Sequence, residues 1–163
     1  MKKKSAAPAK ATTKLVVQVE DKNWRGEAAA LRLLRRAGKL AMAAVDASED
    51  EVTILLGDDA RLKGLNSVFR GKQKPTNVLS FPSDEPGYLG DIAIAYGIVA
   101  REAKAQRKTF SAHAAHLAVH GILHLAGYDH EIEKDATKME NMEREILARL
   151  GIEDPYRQSG KAA

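Results

Sequence analysis

Apolar positions recur along the chain with two periods, and each stretch predicts an element. LVVQVE (15–20) is a short valine-rich run and reads as a first strand, with a turn from Asp21 to Trp24 behind it. Residues 27–45 carry Leu31, Leu34, Ala41 and Ala44 at helical spacing and predict an amphipathic helix. EVTILLG (51–57) predicts a second strand, entered through the polar Ser48–Asp50. A helix over 59–68 follows, capped by Asp58 or Asp59, with Leu65 and Val68 as its buried positions in place of Leu62. NVLSFP (77–82) and LGDIAIAY (89–96) predict two more strands, the first stopped by Pro82, the second opened by Gly90. Residues 97–107 and 110–126 read as helices divided near Lys108 and Thr109. Met139, Met142, Ile146 and Leu150 form one stripe of a last helix over 132–150, which Gly151 ends.

The four strands lie before residue 97 and most of the helix after it. That distribution predicts an α+β domain: a four-stranded mixed sheet packed with about five helices. Repeats and Gly-rich phosphate loops are lacking, and a Rossmann unit is disfavoured. The expected organisation is a flexible basic tail over 1–14, a single domain over 15–152 and a frayed C-terminal tail over 153–163.

Composition narrows the function classes. The 163 residues include no cysteine, so disulfides, thiolate nucleophiles and cysteine metal ligands are excluded, in keeping with the cytoplasm. No apolar run reaches the roughly 18–20 residues of a membrane span. The basic start has no apolar segment behind it, so it does not read as a secretory signal. The formal charge of +4 is carried by the tail: five lysines and no acid lie in 1–14, leaving the rest one unit negative. Nucleic-acid binding by the domain would need a local basic patch.

HGILHLAGYDH (120–130) carries the chemistry. Residues four apart on a helix lie about 40° apart around its axis, so His120 and His124 point the same way. Gly127 lets the chain leave the helix and swing His130 back as a third ligand. Three imidazoles and an open position make a catalytic arrangement, with one zinc ion as the expected metal. His116, one turn before His120, is a candidate fourth ligand, and Asp129 could orient an imidazole. The spacing matches the metalloprotease pattern H-E-x-x-H-x-x-G-x-x-H, but Gly121 replaces the glutamate that takes a proton from water. Peptide hydrolysis is therefore disfavoured.

Phosphodiester cleavage asks instead for a metal and a cation at the phosphoryl group. FRGKQKPTNVLSFP (69–82) supplies Arg70, Lys72 and Lys74 just before a strand, with Arg61 and Lys63 upstream. Arginine suits phosphate best. Ser80 is a further candidate substrate contact, although Thr76, Asn77 and Ser80 could equally support the turn and strand. Arg101, Lys104, Arg107 and Lys108 read as the solvated face of a helix.

Together these residues resemble the YbeY family of bacterial endoribonucleases and rRNA maturation factors. HGILHLAGYDH (120–130) is similar to the family's H-G-x-L-H-L-x-G-Y-D-H. LNSVFRGKQKPTNVLSFP (65–82) is similar to its L-N-x-x-[FY]-R-x-x-x-x-P-T-N-V-L-S-F-P, and LGDIAI (89–94) to its L-G-D-I-x-I. Gln73 stands where the family commonly has Asp. The resemblance spans about residues 15–150. It implies zinc on His120, His124 and His130, Arg70 as the functional arginine, and single-stranded RNA as substrate. It further implies rRNA 3′-end processing and ribosome quality control in the cytoplasm, with rRNA and ribosomal subunits as partners. Two rivals remain: a metal-dependent hydrolase of another class, such as a peptidase, and a ribosome-assembly factor whose metal only fixes the fold.

Overall fold

The computed structural model describes residues 14–71, 76–128 and 133–157. Its elements run β1 (Lys14–Val19), α1 (Ala28–Ala44), β2 (Glu51–Gly57), α2 (Asp59–Arg70), β3 (Val78–Pro82) and β4 (Tyr88–Ala95). Then follow α3 (Tyr96–Ala105), α4 (Phe110–Leu125) and α5 (Glu133–Ala148). The predicted α+β architecture is what forms: among the described residues, a mixed sheet of four strands in the order β1-β2-β4-β3 is packed with five α-helices. β1, β2 and β4 are parallel, and β3 pairs antiparallel to β4 at the edge.

Alternation along the strands sorts side chains onto two faces. Val52, Ile54 and Leu56 of β2, with Ile92 and Ile94 of β4, enter the main core beneath α1 and α4. Leu79, Ala93 and Ala95 point the other way and meet Leu62 and Ile98 in a smaller cluster. A predicted turn becomes a 3-10 helix, Lys22–Gly26, because Trp24 is fully buried and its Nε1 donates to the Gly57 carbonyl at 3.1 Å.

Three helix starts are fixed by side chains. Asp58 caps α2 by accepting from Arg61 N, and Thr109 caps α4 by accepting from Ala112 N. Asp59 reaches across to α3, accepting from Ile98 N at 3.0 Å and from Arg101 at 2.9 Å. Arg101 is thus engaged with an acid.

Two expectations are corrected. Leu62 is fully buried and Val68 is 76% exposed, the reverse of the sequence reading. Six residues on a helix rotate the side chain by about 240°, so Val68 cannot share the face that Leu62 turns to the sheet. The C-terminal segment expected to fray is packed as far as Arg157. Arg144 Nε donates to Asp154 at 3.0 Å, Lys108 Nζ to the Pro155 carbonyl at 3.2 Å, and Tyr156 stacks edge-on against His116. Among the described residues, no helix is long and apolar enough to cross a membrane.

Candidate metal centre

Helix α4 is the axis of the molecule, buried on most of its circumference and packed on α1, α3, α5, β3 and β4. Its approach to the sheet depends on Gly121. A Cβ there would stand 3.0–3.2 Å from three carbons of Ile92, tighter than ordinary packing. Ser80 of β3 donates its hydroxyl to the Gly121 carbonyl at 3.1 Å, tying strand to helix beside His120. The packing here leaves little room for a glutamate. Position 121 faces the sheet, and a larger side chain would enter the core.

His120 and His124 share one face, as their spacing predicts. Their Nε2 atoms lie 3.1 Å apart, with the rings edge-on at 78°. α4 ends at Leu125, and Gly127 just beyond it has a φ of +103°, in a region that favours glycine. Asp129 and His130 lie outside the described residues, as do Lys72 and Lys74. Arg70 closes α2, with its side chain outside the description. The ring of Phe69, its neighbour, stands 5.4 Å from that of Phe81 on β3.

Two residues missed by motif reasoning complete the cluster. Glu143 of α5 is fully buried, and its Oε2 lies 2.6 Å from His120 Nδ1 and 3.4 Å from His116 Nε2. Tyr156 donates its hydroxyl to Glu143 Oε1. His116, His120 and Glu143 bring ligand-type atoms within 4.8 Å of one another, a buried His–His–Glu group that could hold a metal ion. One signal was readable in the sequence. Glu143 falls on the stripe of Met139 and Ile146, at spacings of four and three, so an acid occupies the buried side of an amphipathic helix.

Electrostatics follow from this burial. Desolvation alone would raise the Glu143 carboxyl, but hydrogen bonds from His116 and His120 outweigh it and hold the group at about 2. Burial, then the bond to Glu143, pushes the Tyr156 hydroxyl well above its ordinary value. Burial also lowers His113, against an opposing hydrogen bond to Glu102 2.8 Å away.

A groove of about 1130 Å³ opens beside these histidines, with His113, His116 and His120 along it and Arg107, Lys108 and Arg157 contributing positive charge. Arg107 and Lys108 therefore line a concave surface next to His120, although the sequence pattern placed them on a solvated helix face. Ser80, a candidate substrate contact, is buried and its hydroxyl serves the joint to α4.

Comparisons with known proteins place the chain in a family. The family model described as Endoribonuclease YbeY matches residues 16–151. A Rhodopseudomonas palustris protein named Endoribonuclease YbeY is 52% identical over 150 residues, spanning 86% of this chain and 79% of the relative. A Nitrobacter hamburgensis protein of the same name is 48% identical over 161 residues, spanning 91% and 84%. The solution structure of TM1509 from Thermotoga maritima superposes with a TM-score of 0.58 at 27% identity, over 88% of this chain and 99% of that one. The matched span takes in every strand from Val16 onward, the histidine helix and α5 with Glu143, and on that basis the chain belongs to the YbeY endoribonuclease family.

Proposed function

We propose that the chain is a metal-dependent endoribonuclease that cuts single-stranded RNA, acting in rRNA 3′-end maturation and ribosome quality control in the cytoplasm. The observation that carries this reading is the pair of Nε2 atoms of His120 and His124, 3.1 Å apart, with His120 lining a groove that also carries Arg107, Lys108 and Arg157. Two donors on one tetrahedral ion at roughly 2.0–2.1 Å would stand about 3.3 Å apart, so the pair fits with little adjustment. The donor set is imidazole, which suits zinc. In this reading His120 and His124 hold one zinc ion with His130, and Gly127 provides the turn that brings His130 round. When bound, the metal supplies Lewis acidity toward a phosphoryl oxygen or water.

The chain's own residues do the rest. Arg70 neutralises the scissile phosphate, with Lys72 and Lys74 as further contacts in the same segment. Arg107, Lys108 and Arg157 take neighbouring phosphates of the strand, and positive charge along a concave track favours a polyanion over a peptide. Gly121 offers no carboxylate, and its site faces Ile92, which weighs against peptide hydrolysis from this helix. In this reading the lysines at 2, 3, 4 and 10 add only salt-sensitive attraction to RNA.

The test is cleavage of a fragment from the 3′ end of small-subunit rRNA by three preparations: zinc-loaded protein, metal-stripped protein and Arg70→Ala, each shown to be folded. Cutting by the first alone supports the reading. Equal cutting by all three refutes it, and RNA binding without cutting in any form moves the assignment to an assembly factor.

A further inference from the structure

Glu143 lies 23 residues from His120 in sequence, on a different helix, yet its carboxylate meets the Nδ1 of that histidine at 2.6 Å. The distance is too short for both atoms to bind one ion, since donors sharing a metal at roughly 2.0–2.2 Å stand about 3 Å or more apart. The contact is therefore a hydrogen bond. Glu143 has no exposed side-chain surface, and a carboxylate taken wholly out of water is stable only when its oxygens are bonded. Its partners come from two segments: His116 and His120 of α4 on Oε2, and Tyr156 of the C-terminal segment on Oε1.

An ionised carboxylate can only accept, so the proton of the His120–Glu143 bond sits on Nδ1. A neutral imidazole protonated at Nδ1 carries its lone pair on Nε2. That Nε2 is the atom directed at His124 Nε2. From this geometry we infer that Glu143 is a positioning residue. It locks His120 in the Nδ1–H form with Nε2 bare toward the metal, and Tyr156 holds Glu143 in place. The His–His–Glu group thus works as one ligand and its support: His120 would hold the metal through Nε2, and Glu143 supports the ring from Nδ1. The C-terminal segment around Pro155 becomes part of the centre, through a tyrosine 36 positions beyond its histidine in sequence.

The inference rests on His120 being a metal ligand. It is tested by zinc affinity, measured in competition with a chromophoric chelator, for wild type, Glu143→Gln and Tyr156→Phe. Imidazole ¹⁵N shifts of the metal-stripped forms report the tautomer, and circular dichroism reports folding. Glu143→Gln is expected to bind zinc 10–100-fold more weakly and to lose the pure Nδ1–H signature of His120. Tyr156→Phe is expected to shift both readouts the same way by less, and it keeps the test open should Glu143→Gln fail to fold. Unchanged affinity in both variants would overturn the inference, as would weaker binding with the tautomer intact, since that describes a loosened fold. If wild type itself binds no zinc, the metal reading of the site fails first and the inference falls with it.

Discussion

The Nε2 atoms of His120 and His124 face each other at 3.1 Å across one turn of α4. Two imidazoles in this relation present a ready chelate, and a ligand that binds only the folded chain stabilises it. Zinc at about 100 times its dissociation constant should add roughly 2.7 kcal/mol to unfolding stability. His124→Ala is expected to abolish that gain while the metal-stripped protein remains folded, as thermal melts with and without zinc would show. An equal zinc-dependent rise in His124→Ala would remove this histidine from the centre.

The bond from Ser80 to the Gly121 carbonyl joins β3 to the helix of the histidines. Ser80→Ala leaves a buried carbonyl short of that partner and is expected to cost about 1–2 kcal/mol in urea unfolding. RNA affinity measured on folded, zinc-loaded protein should be unchanged, because the hydroxyl is turned to the helix. A marked loss of RNA affinity without loss of stability would restore Ser80 as a substrate contact.

Gly121→Glu would recreate the metalloprotease spacing. Its first side-chain carbon meets Ile92 at 3.0–3.2 Å, and its carboxylate would be driven toward the core. Overpacking and an unpaired buried charge together are expected to cost more than about 3 kcal/mol. The variant should show a collapsed denaturation midpoint and gain no peptidase activity. A stable Gly121→Glu protein that hydrolyses peptides would contradict the packing argument.

His113 donates Nε2–H to Glu102 at 2.8 Å, while its buried Nδ1 has no hydrogen-bond partner among the described residues. Burial makes the protonated ring unfavourable, so its folded pKa lies below the ordinary 6.5. The unfolded chain then binds more proton as pH falls through 6.5 toward the folded value. Stability contributed by the neutral ring is complete above that interval and lost within it. In metal-stripped protein, the fall in stability from pH 7 to pH 5 should be shallower for His113→Gln than for wild type. Parallel pH profiles would show that His113 contributes no part of the slope.

Local pattern carried the strands and helices because each depends on neighbours in sequence. Alternation over EVTILLG places Val52, Ile54 and Leu56 on one face, and β2 spans the stretch that pattern predicts. The spacing of His120 and His124 gave their shared face for the same reason. Val68 and Leu62 were exchanged because a short helix with apolar residues on two sides does not reveal which side meets the sheet. Glu143 and Tyr156 escaped motif reading because their meeting with His120 depends on how α5 and the C-terminal segment dock on α4, a tertiary relation with no fixed spacing. The acid on α5's apolar stripe was the one legible trace of it.

On the proposed function, RNA cleavage belongs to a metal held by the histidines of α4. The most direct measurement is a zinc titration of stripped protein in which bound metal and single-stranded RNA cleavage are followed in the same samples. Cleavage that rises in proportion to occupancy and levels off at one zinc per chain is the predicted result. Cleavage already complete in the stripped protein and indifferent to added zinc would contradict it.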